Sequence, residues 1–212
     1  MPDFRSFPLI LAAPSGAGKT TIARKLRERR ADVVFSVSAT TRPPRSYERH
    51  GRDYWFLAEA EFREWISAGQ LAEWAEVHGH FYGTPMENVS RAADRRQILL
   101  LDIDVQGARQ IRAAVPEAVS VFILPPSGRE LAGRLISRGS ESDLARRHRL
   151  TNACREIAAA PEFDYVVVND DLDRAVAHVE AILRAESARS AHLVGLSDYA
   201  TRLCADIETS LT

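Results

Sequence analysis

The stretch Leu9 to Thr21, LILAAPSGAGKTT, holds the first residues whose types and spacing could do chemistry. The pattern G-x-x-x-x-G-K-[ST] is a loop whose backbone N–H groups face phosphate oxygens. Its lysine serves the β- and γ-phosphates and its hydroxyl serves Mg2+. Ala13, Pro14, Ser15, Gly16, Ala17, Gly18, Lys19, Thr20 and Thr21 fill these places, with Ala13 where the first glycine is asked for. Gly16 and Gly18 permit the tight turn, and a helix beginning near Lys19 adds its positive end. Alanine is harmless at the first position provided its φ is negative. These residues read as a binding loop for a nucleotide such as ATP.

A second group follows in ILLLDID, where four apolar residues deliver Asp102 to the carboxyl end of a strand. Ligands of open α/β sheets gather there, and phosphate-loop enzymes hold Mg2+ with such an aspartate. Thr20 and Asp102 are the candidate metal residues. Asp104, two residues on, is expected to project to the same side. A third group is Arg42 and Arg45, three apart across Pro43 and Pro44. Planar guanidiniums on a stiff segment suit a phosphate dianion.

These groups need elements to hold them. Residues 7–13 read as a buried strand, 19–30 as a helix with Ile22, Ala23 and Leu26 on one face, and 33–38 as a second strand. After a polar, arginine-rich loop, Phe62, Trp65 and Ile66 mark a short helix ending near Gly69. Strand-like pieces follow over 71–82. TPME then suggests a helix with Thr84 as N-cap, Pro85 at the first position and Glu87 closing a capping box. The α/β rhythm returns with strands over 97–105, 119–125 and 165–169, separated by helices through Ile111, over 128–160 and over 172–188. The expected fold is α/β, a mostly parallel sheet with helices on both faces. Residues 1–38 and 97–190 form the core, 39–96 an inserted smaller domain, and 191–212 a helical tail.

Bulk properties narrow the classes. A net charge of −1 speaks against a general nucleic-acid or membrane binder. Two distant cysteines, Cys154 and Cys204, match no metal spacing and read as reduced thiols. The N-terminus has no apolar core of a signal peptide, and no run approaches the ~20 apolar residues that span a bilayer. A soluble, cytoplasmic protein is expected, with its oligomeric state open.

The motifs APSGAGKT, FSVSATTRPPR, GRDYWF, EWAEVHGHFYGT, LDIDVQGA, FILPPS, RLISRG and VNDD occur in the order found in guanylate kinases. The likeness covers roughly residues 7–188 and extends to Ala13, because relatives also begin this loop with APSG. It implies a Mg2+-dependent enzyme that phosphorylates GMP with ATP. It further implies that Ser38, Glu73 and one or both of Asp102 and Asp104 recognise guanine. Arg42, Arg45, Tyr54 and Tyr82 would hold the GMP phosphate, helped by Gly83 and Thr84. Arg134, Arg138 and Arg149 resemble the family's lid, about 126–150, and with Lys19 and Arg45 would form the catalytic set. Asn169 is placed by the likeness near adenine. The chain departs from the family where Arg45-Ser46-Tyr47-Glu48 replaces a pattern like R-P-G-E, and where His80 replaces a common asparagine. Alternatives carried by the same residues are a non-catalytic guanylate-kinase-like interaction module and a related phosphosugar kinase.

Overall fold

The segment PLILA has every residue buried, as a central strand covered on both faces requires. In the computed structural model, which describes residues 3–77, 79–136 and 143–210, this is β2 (Pro8–Ala12), preceded by a short β1 (Asp3–Phe4). Helix α1 (Lys19–Arg29) and β3 (Val33–Phe35) follow, then β4 (Ala39–Thr40), β5 (Trp55–Phe56), α2 (Glu59–Ser67), β6 (Leu71–Val77), β7 (His80–Pro85) and α3 (Met86–Asp94). The remaining elements are β8 (Ile98–Asp102), α4 (Val105–Ala114), β9 (Val119–Leu124), α5 (Gly128–Ile136), α6 (Asp143–Ala158), β10 (Tyr165–Val168), α7 (Leu172–Ser187), β11 (Leu193–Val194) and α8 (Leu196–Thr209).

The main sheet runs β10-β9-β2-β8-β3 with every pairing parallel. Alternate residues serve its two faces, as a period of two demands. Leu9, Leu11, Ile98, Leu100, Val121 and Val167 meet Ile22 and Leu26 of α1 and Val176, Val179 and Leu183 of α7. Ile10, Leu99 and Leu101 meet Ala92 of α3 and Ala108 and Ile111 of α4. Each fully buried Leu or Ile contributes about 1.5–3 kcal/mol, so stability concentrates around β2 and β8, the strands that lead to the phosphate loop and to Asp102.

A second sheet, β5-β4-β7-β6, packs Ala39, Leu57, Phe62 and Phe81 into a small core of its own with α2. Its outer strand β6 is clasped by α4. The Gln110 side chain accepts from Trp74 N at 3.1 Å and donates to Trp74 O at 2.9 Å.

Three local expectations change. The alternation over 33–38 stops as a strand at Phe35: Ser36 N still donates to Leu100 O of β8 at 3.0 Å, but Asn88 Nδ2 of α3 then holds Ser36 Oγ and Val37 O at 3.0 and 2.9 Å. Thr84 is not an N-cap. Thr84 and Pro85 continue β7, Pro85 precedes α3 as its N-cap residue, and Glu87 binds Arg91 instead of closing a capping box. The tail expected to be helical over 191–212 instead opens with β11, which pairs antiparallel with β1 and which no local pattern announces. Helix α8 carries no buried residue.

Candidate active site

Strand β2 hands the chain to the phosphate loop at buried Ala13. Arg96 is the single positive-φ residue other than glycine among those described, so Ala13 meets the condition on its φ. Gly16 and Gly18 take φ of 85° and 94°. Gly18 is constrained twice, since a Cβ there would also fall on Nδ2 of Asn169. That Asn169 amide donates to Ala17 O at 2.7 Å and braces the loop from behind. Thr21 N closes the first turn of α1 onto Gly18 O at 3.1 Å.

Two loop side chains converge on one carboxylate. Lys19 Nζ lies 2.8 Å from Asp102 Oδ1 and donates to Ile103 O at 2.7 Å. Thr20 Oγ1 donates to the other oxygen, Asp102 Oδ2, at 2.9 Å. The parallel register of β2 and β8, which sets Leu11 beside Asp102, makes this meeting possible.

Beside the loop opens a cavity of about 450 Å³ lined by Ser15, Ser38, Tyr54, Glu73, Tyr82, Gly83, Asp102 and Asp104. An adjoining recess of about 320 Å³ shares Ser38, Tyr54 and Asp102 and adds Thr20 and Thr84. Glu73 is its most perturbed group. Burial pushes its carboxyl up to about 7, with Asp104 adding to the rise and a hydrogen bond from Thr84 Oγ1 (2.7 Å) opposing it. Gly107 of α4 leaves the space Glu73 needs, since a Cβ there would stand 3.0 Å from Glu73 Oε2. Asp104 caps α4, accepting from Gly107 N at 2.7 Å. The strand ends at Asp102, so Asp104 reaches the cavity as a helix cap and not by strand alternation.

On the far side, the loop after β4 is organised by Glu48. Its carboxylate accepts from Arg42 Nη1 and Nη2 at 3.0 and 2.9 Å and from Arg45 N at 2.7 Å. This holds Glu48 below the usual carboxylate range and keeps Arg42 firmly protonated, with Tyr82 adding to the effect. The Arg42 guanidinium also sits 5.5 Å from the centre of the Tyr54 ring. Arg45 is exposed and donates to the Tyr47 hydroxyl at 3.0 Å. Tyr47 takes no positive φ, so the loop turns here without a glycine.

A sequence model described as Guanylate kinase matches residues 5–186. The chain belongs to the guanylate kinase family. It is 49% identical over 175 residues to a guanylate kinase of Thermosynechococcus vestitus, covering 82% of this chain and 92% of that one. It is 47% identical over 203 residues to one from a Chelativorans species, with 95% and 93% covered. The fold matches the crystal structure of guanylate kinase from Anaplasma phagocytophilum with a TM-score of 0.76, at 38% identity, over 94% of this chain and 95% of that one. The family match ends before β11 and α8.

Not every residue that the guanylate kinase resemblance singled out gathers at the cavity. Arg134, on α5, lies 3.3 Å from Glu130 one turn away. Arg149, on α6, donates to Leu135 O at 3.5 Å. Neither they nor Arg42 and Arg45 line the cavity or its recess, and Arg138 lies outside the described residues. Asn169 touches the loop backbone, where the resemblance alone placed it near adenine. Three residues of this site were given no role from the sequence: Glu48, Gly107 and Glu156, the last of which also lines the cavity. Glu48 had a signal, an acid three residues after Arg45. Gly107 and Glu156 sit inside helices, and only tertiary packing reveals them.

Proposed function

We propose that this chain transfers the γ-phosphoryl group of ATP to GMP, giving ADP and GDP. One observation carries the reading: Lys19, Thr20 and Asp102 meet at the edge of the cavity that also holds the buried Glu73. A phosphate-binding loop and a guanine-reading carboxylate thus share one chamber.

Ser38, Glu73 and Asp104 receive the base. A carboxylate accepts from the N1–H and 2-amino groups of guanine, which adenine does not present in that arrangement. Arg42, Arg45, Tyr54 and Tyr82 take the GMP phosphate, with Gly83 and Thr84 shaping the wall. That phosphate, with a second pKa near ~6 by analogy with phosphorylated side chains, is already largely a dianion at neutral pH, so no side chain need remove a proton. The loop from Ala13 to Thr21 takes the ATP phosphates, Lys19 neutralises charge at the transferring group, and Arg134, Arg138 and Arg149 complete the clamp. Catalysis is then alignment and charge neutralisation. Residues 39–96 and the segment about 126–150 act as the parts that close and exclude water.

The residues present fit Mg2+. A hydroxyl and a carboxylate are the hard oxygen donors this ion takes, and they lie side by side at Thr20 and Asp102. No cluster of three or more His, Cys, Asp or Glu side chains suited to a metal occurs among the described residues, so phosphate and water oxygens would complete the shell. When bound, Mg2+ would supply positive charge to the β- and γ-phosphate oxygens.

With respect to setting, no helix among the described residues is long and apolar enough to cross a membrane, and both cysteines are free and exposed. We place the protein in the cytoplasm. Supplied with ATP, Mg2+ and a panel of acceptors, the purified chain should phosphorylate GMP and leave AMP, CMP, UMP and phosphosugars largely untouched. Lys19→Ala should abolish turnover. Preference for another acceptor, or near-normal activity of the folded variant, overturns the reading.

A further inference from the structure

Glu156 belongs to no part of the scheme above, yet it stands at the phosphate loop. Its Oε2 accepts from Ser15 N at 3.3 Å, across 141 positions of sequence. It lines the central cavity with Ser15 and Glu73, and a neighbouring recess with Asp104 and Arg109. Burial raises its carboxyl, Asp104 raises it further, and Ser15 N–H and the Lys19 charge act the other way. This carboxylate is therefore half-buried among like charges, held by one loop amide and the field of one lysine.

Ser15 lies in the turn whose amides this reading assigns to ATP phosphates. A phosphate oxygen and the Glu156 carboxylate compete for the same N–H, and two anions cannot share it. Glu156 also rides on α6, and Arg149 is seven residues earlier, two helical turns away on the same face. The neighbouring stripe of α6 is apolar: Leu150, Ala153 and Ile157 pack against Leu131 and Leu135 of α5. The same two leucines border the loop, standing 3.5 and 3.3 Å from where a Cβ on Gly16 would be. The phosphate loop, α5 and α6 are thus in mutual contact, and Glu156 is the polar link between the loop and the helix bearing Arg149.

We infer that Glu156 is a positioning residue that competes with the ATP polyphosphate for the Ser15 amide, so that filling the loop releases α6 and lets Arg149 move toward the transferring group. The inference rests on the phosphate loop being the ATP site. In this scheme the Glu156 contact weakens the binding of ATP and ties the release of α6 to the filling of the loop, a coupling between loop and helix.

The test measures ATP affinity by calorimetry, with GMP left out, with and without Mg2+, for the wild type, Glu156→Gln, Glu156→Ala and Lys19→Ala. Both Glu156 variants should bind ATP more tightly, by about fivefold or more, with or without Mg2+. Loss of a merely structural contact would lower the melting temperature without tightening ATP. Unchanged or weaker ATP binding in folded Glu156→Gln overturns the inference, as does weakening confined to Mg2+ solutions, which would make Glu156 a metal ligand. The Lys19→Ala control separates the two claims. ATP binding that survives Lys19→Ala removes the site assignment itself, and with it the inference. Binding that is lost there but unaltered in both Glu156 variants removes the inference alone.

Discussion

Replacing Glu73 with glutamine should make the protein more stable at alkaline pH and poorer at binding GMP. In the folded chain the Glu73 carboxyl is raised from 4.5 to about 7, chiefly by burial. An acid whose pKa rises on folding favours the folded state below its unfolded pKa, and that advantage is lost as pH climbs through the folded value. The window is therefore pH 4.5 to about 7, and above it the ionised side chain costs the fold. A difference of about 2.5 units, at 1.36 kcal/mol each, amounts to about 3 kcal/mol. Glutamine keeps the volume and the oxygen that accepts from Thr84, but cannot ionise. Urea denaturation of wild type and Glu73→Gln at pH 5 and pH 8.5 isolates the term, because other titrating groups cancel in the difference. The variant should gain little at pH 5 and about 2–3 kcal/mol at pH 8.5. A difference that does not change with pH would show that Glu73 ionises in the folded protein as freely as in the unfolded one. The same variant should raise the KM for GMP well above its effect on ATP, since an amide cannot accept from both guanine donors.

Two other substitutions follow from local geometry. Glu48→Ala removes the acceptor that fixes the Arg42 guanidinium and the Arg45 backbone, and should raise the KM for GMP about tenfold with a smaller change in kcat, by loss of pre-set orientation; steady-state kinetics would show it, and an unaltered KM would remove Glu48 from the acceptor loop. Arg96, the residue after the Arg95 cap of α3, has a φ of 54°, a conformation costly for any side chain, so Arg96→Gly should stabilise the fold by up to about 1 kcal/mol in thermal unfolding, the gain tempered by glycine's freer unfolded chain.

What the sequence made legible follows from the range of each interaction. The apolar run ahead of Asp102 and the loop before Lys19 are local signals, and both elements stand where their patterns put them. Thr84 was misread because T-P-x-E carries the marks of a helix start. Its pairing with Glu73 in the β6–β7 ladder is a long-range fact that outweighs them. Asp104 was assigned the strand's alternation, but the backbone leaves the strand after Asp102 and spends the Asp104 side chain on a helix amide. The β1–β11 pairing spans two residues on each side, too few to leave a pattern. Glu156 reads as one more polar residue on an ordinary helix until the fold brings Ser15 beside it.

The Gln110 clasp on β6 has a consequence beyond holding two elements together. β6 is the edge of its sheet, and an edge strand offers unpaired N–H and C=O groups to any other chain. By donating to one group of Trp74 and accepting from the other, the side-chain amide imitates a neighbouring strand for one residue. Trp74 itself is partly exposed there. One glutamine beside the cavity thereby occupies backbone groups that would otherwise be open to intermolecular sheet growth, on a strand whose other safeguards are the acids Glu73 and Glu76.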